Sequence, residues 1–331
     1  MDAANARGPT AVRPRFRILS LDGGGIKGTF SAAVLAEIER MTGKRIADHF
    51  DLITGTSTGG IIALALGLGL SAEEIESFYE SEGPKIFPST GILRGVRGVF
   101  RQLFAPKHSP AALTDALREV FGERRLGEAT VRLVIVSYDA VRSDVHLFKT
   151  AHSLRFKRDY RTPAVEVALA TSAAPTYLPA FTNRDSVSFI DGGIWANCPA
   201  TVGILEAIAV LGQHPEQIEV LSIGTTAETF DVSHRRRVGG ALTWNLALVK
   251  LLTEAQMKAA IAQANLLTQH SRLLRVNETI RPGRFSLDDA SRKQIAELKA
   301  LGIQKARHVE PEVTQRFLYA RAAPFEPYYK L

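Results

Sequence analysis

Ser57 lies in a local pattern that can make a hydroxyl group nucleophilic. Gly55 and Gly59 flank it in the order Gly-Thr-Ser-Thr-Gly, between a strand-like run and a stretch of helix-forming residues. Glycines at both positions permit the sharp strand-to-helix turn that exposes a serine hydroxyl, because side chains there would collide. The pattern therefore predicts a nucleophile elbow, and its alternative is a serine that only caps the following helix.

An activated serine needs a base for its proton and donors for the oxyanion that it creates. Asp191 ends another short apolar run, in the order Ile-Asp-Gly-Gly, so that Gly192 and Gly193 follow it directly. In an open α/β sheet, a strand ending here would bring Asp191 to the edge where ligands bind. We therefore expect Asp191 to act as the base for Ser57.

A glycine cluster, Asp22-Gly-Gly-Gly-Ile-Lys-Gly28, also ends a strand-like run and precedes helix-forming residues. Such a turn leaves backbone N–H groups free to bind an anion. We expect it to form the oxyanion hole for Ser57 if its strand neighbours the strand before Ser57. The N–H groups predicted to bind the oxyanion belong to Gly23, Gly24 and Gly25.

The same cluster matches the G-x-G-x-x-G fingerprint of dinucleotide-binding proteins through Gly23, Gly25 and Gly28. That interpretation requires an acidic residue at the end of the next strand, where it would bind a ribose. Here the next strand ends in Gly-Thr-Ser57, and Asp22 would place a carboxylate beside the pyrophosphate. A nucleotide-binding module that holds phosphates without hydrolysis is nevertheless the main alternative to an enzyme.

Histidine is a frequent base in serine hydrolases, but no histidine of this chain lies in a recognisable motif. His234 or His270 follows Asp191 and could complete a Ser–Asp–His order, although a surface position is the simpler interpretation. A Ser–Asp–His esterase therefore stays open as an alternative. The histidines are His49, His108, His146, His152, His214, His234, His270 and His308.

Composition and charge restrict the class of protein. The 331 residues include 45% hydrophobic and 23% charged side chains, which is ordinary for a globular protein. Cys198 is the single cysteine, which excludes an internal disulfide. We expect no signal peptide, and the longest apolar run, residues 61–70, reaches about half of a membrane span. Lys and Arg outnumber Asp and Glu by 41 to 34, which favours anionic partners or a solvated basic surface.

Strand-like and helix-like segments alternate from residue 16 onward, without internal repeats or a long linker. This alternation predicts one α/β domain with a mainly parallel central sheet flanked by helices. The predicted strands are residues 16–21, 50–54, 131–138, 145–150, 187–190, 218–224 and 272–276. The predicted helices are residues 29–41, 58–68, 71–82, 109–121, 163–171, 199–211, 242–269, 288–300 and 311–321.

Residues 84–108 differ in composition from the segments around them. Arg94, Arg97 and Arg101 alternate there with apolar residues at helical spacing. A basic amphipathic segment of this kind can lie on a membrane surface, or it can pack its apolar stripe on the core. We regard residues 92–104 as a candidate for peripheral membrane contact.

Three motifs, in matching order and spacing, resemble those of the patatin-like phospholipases. They are Asp22-Gly-Gly-Gly-Ile-Lys-Gly28, Gly55-Thr-Ser-Thr-Gly59 and Asp191-Gly-Gly193. The block Ser172-Ala-Ala-Pro-Thr-Tyr-Leu-Pro179 also resembles the segment before the third motif in that family. The resemblance covers residues 15–225 and implies the patatin-like three-layer sandwich.

The resemblance implies a lipid acyl hydrolase, a phospholipase A-type enzyme with a Ser57–Asp191 dyad and no histidine. Ser57 would attack an ester carbonyl of a membrane glycerophospholipid, and Asp191 would accept its proton directly or orient it, without a metal or a cofactor. The residues expected to support these motifs are Asp22, Gly28, Gly55, Gly59, Gly192 and Gly193.

The chain is also similar to the bacterial branch of the family that includes cyclic-nucleotide-activated phospholipases of anti-phage systems. That similarity implies a cyclic nucleotide activator and peripheral action from the cytoplasm on the inner face of the membrane. Residues 235–237, three arginines, and the arginines of residues 94–101 could bind a phosphodiester or could be solvated charge. The complete pair of Ser57 and Asp191 argues against an interaction protein with a decayed site.

The predicted domain organisation has three parts. Residues 1–14 lack periodicity and are expected to form a disordered tail. Residues 15–225 are expected to form the catalytic core. Residues 226–331 are expected to form a helical C-terminal extension that packs on the same domain, and no motif there indicates what it contributes.

Overall fold

The structure is a computed structural model that describes residues 15–87, 109–228 and 241–331, with the backbone alone for residues 241–247. The predicted tail over residues 1–14 and the basic stretch over residues 92–104 lie outside the described residues. So do His108, His234 and the three arginines at positions 235–237.

The strands of the described ranges follow the predicted runs closely. All seven predicted strands are present, and three pairs of residues form additional short strands at 181–182, 227–228 and 279–280. The strands are β1 Phe16–Leu21, β2 Leu52–Thr56, β3 Arg132–Asp139, β4 Asp144–Lys149, β5 Phe181–Thr182, β6 Ser188–Asp191, β7 Ile218–Ile223, β8 Ala227–Glu228, β9 Leu273–Val276 and β10 Thr279–Ile280.

The central sheet is built around β1. β1 pairs in parallel with β2 on one edge and with β7 on the other, β3 continues from β2, and β9 continues from β7. β4 and β6 pair with β3 in the antiparallel direction, and β5 pairs with β6. Every residue of β1 is buried, as expected for a central strand that is covered on both faces.

The helices also follow the predictions, with one correction. The segments predicted as two C-terminal helices form one helix of 25 residues that continues through Pro311. A proline normally ends or kinks a helix, but Ala306, Val309 and Val313 keep one buried face across it, and this burial offsets the lost hydrogen bond. The helices are α1 Gly28–Thr42, α2 Thr58–Gly67, α3 Ala72–Ile86, α4 Pro110–Phe121, α5 Ala164–Ser172, α6 Gly193–Ala196, α7 Ala200–Ala209, α8 Ala241–Leu267 and α9 Arg292–Arg316.

Two hydrophobic cores lie on opposite faces of the sheet, because successive side chains of a strand point to opposite faces. On β1, Leu19 and Leu21 belong to the core that α1, α2, α3 and α9 cover. Phe16 and Ile18 belong to the core that α7 and α8 cover. The result is a three-layer α/β/α sandwich with a mainly parallel sheet, which confirms the predicted fold class.

The segment after residue 225 contributes to this sandwich on several sides. α9 packs along α1, α8 packs on α7, and β9 forms an edge strand of the central sheet. The boundary between a catalytic core and a C-terminal extension stays a prediction. Within residues 15–87, 109–228 and 241–331, no helix has both the length and the apolar character needed to cross a bilayer.

Candidate active site

Ser57 occupies the turn between β2 and α2. Its backbone φ is 55° and its ψ is −124°, a conformation that non-glycine residues rarely adopt. The flanking glycines make this turn possible: a Cβ on Gly55 would lie closer than 3.0 Å to the carbonyl oxygen of Gly59. A Cβ on Gly59 would come equally close to the carbonyl oxygen of Leu21. The turn therefore has the geometry of a nucleophile elbow.

The backbone of the elbow is held by Thr171, at the end of α5. The N–H group of Ser57 donates to Thr171 Oγ1 at 2.9 Å, and this hydroxyl donates in turn to the carbonyl oxygen of Val136 at 2.6 Å. Both bonds are buried, so Thr171 fixes the elbow to the middle of β3. The sequence contained a signal for this residue only in its position next to the Ser172–Pro179 block.

Asp191 lies beside Ser57, but the strand that carries it runs in a different direction from the one predicted. Asp191 was expected at the carboxyl edge of parallel strands, but β6 is antiparallel to β3. Thr56 pairs with Val136, and Asp191 pairs with the next residue, Ser137. Since β4 occupies the other edge of β3 over the same residues, β2 and β6 share one edge and meet there end to end.

This meeting brings the two predicted catalytic side chains close together. The Ser57 hydroxyl lies near enough to the Asp191 carboxyl group to lower its pKa, and the N–H group of Gly193 donates to Asp191 Oδ1 at 2.7 Å. Burial raises the pKa of Asp191 from 3.8 to about 6, while Ser57 and Gly193 oppose part of that increase. The carboxylate is therefore a stronger base than a solvated aspartate, and it lies within reach of the Ser57 proton.

Gly192 and Gly193 are required by the close packing around Asp191. A Cβ on Gly192 would lie closer than 3.0 Å to the carbonyl oxygen of Val136 on β3. A Cβ on Gly193 would contact Asp191 Oδ1, the acceptor of its own N–H group, at 3.0 Å. The two glycines therefore let the chain turn sharply at the end of β6 and donate to the carboxylate.

The glycine cluster lies directly beside the elbow, because β1 and β2 are neighbours and Leu21 pairs with Gly55. A Cβ built on Gly23 would be 3.2 Å from Ser57 Cβ. The N–H group of Gly23 donates to the carbonyl oxygen of Asn197 at 2.9 Å and is already engaged. Among the described residues, the N–H groups of Gly24 and Gly25 have no acceptor, which makes them the stronger candidates for oxyanion donors.

Two polar side chains that the sequence analysis missed hold the glycine cluster in place. The carbonyl oxygen of Gly23 accepts from Thr225 Oγ1 at 2.9 Å and from Asn197 Nδ2 at 3.3 Å. Asn197 is tied in turn to α8, since its N–H group donates to Gln256 Oε1 at 2.9 Å. A cue for Asn197 was its place six residues after Asp191, close to the Asp-Gly-Gly motif.

Asp22 is buried and fixes the start of the glycine cluster through an ion pair. Its carboxylate accepts from Arg275 of β9 at 2.5 Å, and Arg275 also donates to Ser222 Oγ at 2.7 Å. Burial alone would lower the pKa of Arg275, but Asp22 outweighs it and raises that pKa. Burial, and then the Asp22 charge, also raises the pKa of the neighbouring Cys198 thiol to about 12, so this cysteine is inert at neutral pH.

Gly28 explains how α1 and α2 begin so close together. A Cβ on Gly28 would lie closer than 3.0 Å to Thr58 Oγ1, at the start of α2. The Thr58 hydroxyl hydrogen-bonds to the buried Tyr79 hydroxyl of α3. The last glycine of the cluster thus lets both helices start beside Ser57.

No histidine in the described part of the chain hydrogen-bonds to Ser57 or Asp191. His152 is buried against Glu206 at 2.9 Å and Thr150 at 2.8 Å, and burial lowers its pKa. His49 is bonded to the carbonyl oxygen of Ala320, at the opposite end of the sheet. His270, one of the two predicted alternatives, lies exposed just after α8.

Comparison with known proteins identifies the family from the sequence. Residues 19–204 match the family model described as patatin-like phospholipase. The chain is 33% identical over 343 residues to the cGAMP-activated phospholipase of Escherichia coli (strain TW11681), with 95% of this chain and 96% of the relative covered. It is 32% identical over 325 residues to the cGAMP-activated phospholipase of Vibrio cholerae serotype O1 (strain ATCC 39315 / El Tor Inaba N16961), with 89% of this chain and 91% of the relative covered.

A solved structure shares the fold at much lower sequence identity. VipD from Legionella pneumophila superposes with a TM-score of 0.50 and 13% identity, over 90% of this chain and 67% of that chain. At this identity the likeness concerns the fold alone.

Proposed function

The chain belongs to the patatin-like phospholipase family and is a lipid acyl hydrolase, and we propose that it cleaves membrane glycerophospholipid esters through Ser57 and Asp191. The observation that carries this proposal is the proximity of these two side chains, with Ser57 at a strained strand-to-helix turn and Asp191 at the end of the strand that meets it. A nucleophile beside its base is the arrangement that covalent ester hydrolysis requires.

The proposed reaction proceeds in two halves. Asp191 takes the Ser57 proton as the Oγ atom bonds to the ester carbonyl carbon, and the N–H groups of Gly24 and Gly25 bind the resulting oxyanion. Collapse of the tetrahedral intermediate breaks the ester C–O bond, and Asp191 returns the proton to the departing lysophospholipid oxygen. Asp191 then takes a proton from water as the water oxygen bonds to the acyl carbon, and it returns that proton to Ser57 Oγ when the Oγ–acyl bond breaks and the fatty acid leaves.

The raised pKa of Asp191 supports its role in both halves. A pKa of about 6 leaves most of the carboxylate ionised at pH 7 and ready to accept a proton. The same pKa means that Asp191 holds the proton taken from Ser57 more firmly than an aspartate of pKa 3.8 would, so the proton is still available when the ester oxygen leaves.

We also propose that a cyclic nucleotide switches this activity on, in defence against phage, at the inner face of the cytoplasmic membrane. Two relatives that align over most of this chain are named as cGAMP-activated phospholipases. Ser57 is 8% exposed and Asp191 is 5% exposed, so the dyad is nearly closed to a bulky substrate. A closed resting site supports activation by a ligand that opens it, because an unregulated phospholipase would damage the membrane of its own cell.

The test measures fatty-acid release from phospholipid vesicles, with and without a panel of cyclic oligonucleotides that includes cGAMP. We expect release to increase at least tenfold with one member of the panel and to stay at background in Ser57→Ala. Equal release with and without every member would refute the switch and leave the hydrolase intact. Tight binding of a nucleotide with no release under any condition would instead favour a nucleotide-binding module.

A further inference from the structure

Apolar side chains are exposed to solvent on elements that border the candidate active site. Ile194 is 48% exposed, Val249 and Leu252 are each 60% exposed, and Leu248 and Leu287 are 44% and 39% exposed. Large apolar side chains that are exposed singly are ordinary, but a group of them near one site indicates an interaction surface. We call these five residues the apolar rim.

The rim is connected to the dyad by short chains of contacts. Ile194 follows Asp191 by three residues, and its carbonyl oxygen accepts from Gln256 of α8 at 3.3 Å. The carbonyl oxygen of Leu287 accepts from the N–H group of Ile26, directly after the glycine cluster, at 3.0 Å. α8 and the loop at residue 287 therefore border the site on two sides.

The first half of α8 presents two different faces. Leu248 and Leu252 are one turn apart, and Val249 lies three residues before Leu252, so the three side chains form one stripe. The side chains of Glu254 and Met257 point the other way: Met257 is buried against Asn197, and Glu254 is half-buried near Lys27. A helix with an apolar stripe on its solvent side has a surface suited to an apolar partner.

Cationic side chains lie beside the apolar rim. Glu228 accepts hydrogen bonds from Lys250 Nζ of α8 and from the N–H group of Gly283. This shared acceptor holds the loop of residues 281–284 against the same helix. Arg281 and Arg284 are exposed on this loop; Arg284 lies 3.5 Å from Glu297, whereas Arg281 has no carboxylate partner within the described residues. The surface thus combines apolar groups with positive charge, in a chain of formal net charge +7.

We propose that the apolar rim and these cations form the surface by which the protein docks on an anionic lipid bilayer. The inference rests on the proposed function and specifies how the enzyme meets its substrate. Apolar side chains of this kind enter the boundary between headgroups and acyl chains, and Lys and Arg bind anionic headgroups from the polar side. Docking in this orientation turns the dyad toward the membrane and places it close to the ester bonds.

The first experiment measures binding separately from catalysis. Full-length protein carrying Ser57→Ala is mixed with vesicles of phosphatidylcholine and phosphatidylglycerol, and the bound fraction is measured by sedimentation. Adding Val249→Ser and Leu252→Ser should weaken partitioning at least tenfold, because about half of each side chain would have entered the bilayer. Leu266→Ser is the matched control, since Leu266 is 65% exposed on the same helix, roughly 20 Å further along it.

The charged part of the surface is tested with Arg281→Glu in the same background. It should weaken binding to the anionic vesicles several-fold and leave binding to pure phosphatidylcholine unchanged. Equal losses on both vesicle types would overturn the assignment of this loop to headgroup binding.

A second readout separates this proposal from the proposed function. In protein with Ser57 intact, Val249→Ser and Leu252→Ser should slow hydrolysis of vesicle lipid at least tenfold and leave hydrolysis of a water-soluble short-chain ester unchanged. Vesicle binding equal to that of the parent would overturn the docking surface while leaving the hydrolase in place. A shift from dimer to monomer with unchanged vesicle binding would overturn it as well, and would assign the rim to a second copy of the chain.

Discussion

Arg275 binds the Asp22 carboxylate at 2.5 Å although 253 positions separate the two residues in the chain. The pair joins β9, in the C-terminal segment, to the first residue of the glycine cluster. Asp22 is 1% exposed, and β9 is itself fixed to the edge of β7. The C-terminal segment therefore helps to hold the glycine cluster that is the candidate oxyanion hole.

Breaking this pair should destabilise the protein markedly. Arg275→Met leaves Asp22 buried without its partner, and removing one member of a buried ion pair costs about 3–5 kcal/mol. Urea unfolding should show this loss in the free energy of unfolding. Arg272→Met, at a surface arginine that binds Gln269 just before the same strand, should change it by less than about 0.5 kcal/mol.

The double substitution Asp22→Asn with Arg275→Met gives an independent check. Removing both charges should recover part of the loss, because no uncompensated buried charge is left. If Arg275→Met unfolded at the same urea concentration as the parent protein, the stabilising role assigned to this pair would be wrong.

The local pattern of the sequence predicted the parts of the site that depend on local backbone geometry. Gly55, Ser57 and Gly59 define a turn whose steric demands involve neighbouring residues, so their spacing alone indicated the elbow. Thr171 and Asn197 could not be identified in this way, because their hydrogen bonds depend on how distant strands and helices pack. The antiparallel direction of β6 was missed for the same reason, since four residues ending in Asp191 carry no signal for direction.

The C-terminal segment shows the limit of local patterns most clearly. No motif after residue 240 indicated a function, yet Gln256, Arg275 and Leu287 all contact elements of the site. A separate helix was predicted over residues 311–321, whereas the packing of α9 on α1 carries one helix through Pro311. Both the contacts of the C-terminal segment with the site and the continuity of α9 depend on tertiary packing, which local sequence patterns do not reveal.

Removal of either member of the dyad should abolish hydrolysis while the protein stays folded. Ser57→Ala and Asp191→Asn each should lower kcat for fatty-acid release by about 10³-fold or more, the scale seen for nucleophiles and bases that act together. His270→Ala and His214→Ala, at exposed histidines, serve as controls and should retain parental kcat. A comparable loss in either histidine variant would place the enzyme among the Ser–Asp–His hydrolases.

Thr171 should act as a positioning residue for Ser57. Thr171→Val keeps the shape of the side chain but leaves the N–H group of Ser57 and the carbonyl oxygen of Val136 without their partner. We expect a loss of about 1–3 kcal/mol in the free energy of unfolding and a lower kcat at unchanged KM. Thr114→Val, which removes a surface hydroxyl bonded to Pro110 on α4, is the control.

The kinetic result decides whether Thr171 positions the nucleophile. Thr171→Ser retains the hydroxyl and should restore most of kcat. If Thr171→Val and Thr171→Ser lowered kcat equally, the effect would come from lost packing and the positioning role would be wrong.

Alanine at Gly59 should be far more damaging than alanine at Gly43. A Cβ on Gly59 would overlap the backbone oxygens of Leu21 and Asp22 at the end of β1, and β1 cannot move away without disturbing the sheet. Gly43 ends α1 with φ of 65° and nothing within 4 Å of the added Cβ, so Gly43→Ala should cost only about 1 kcal/mol and keep full activity. The comparison requires the thermal midpoint and the ester hydrolysis rate of both variants.

The raised pKa of Asp191 predicts opposite effects of pH on activity and on stability. Activity requires the ionised carboxylate, so kcat should fall about tenfold per pH unit below about pH 6 and reach a plateau above it. Stability should change the other way. Because the pKa rises from 3.8 in the unfolded chain to about 6 in the folded protein, the folded state holds the proton more tightly, and its stability falls as pH rises through this interval.

Asp191→Asn should remove this dependence, because asparagine does not ionise. Above pH 7 the variant should be more stable than the parent, by on the order of 2 kcal/mol from a shift of about two pKa units, while the difference should vanish near pH 4. Urea unfolding of both proteins at pH 4.5 and pH 7.5 measures the effect directly. A gain in the free energy of unfolding when Asp191 is made neutral would show that burying the ionised carboxylate beside Ser57 destabilises the folded protein. Equal stability of the two proteins at pH 7.5 would show that Asp191 carries no such strain.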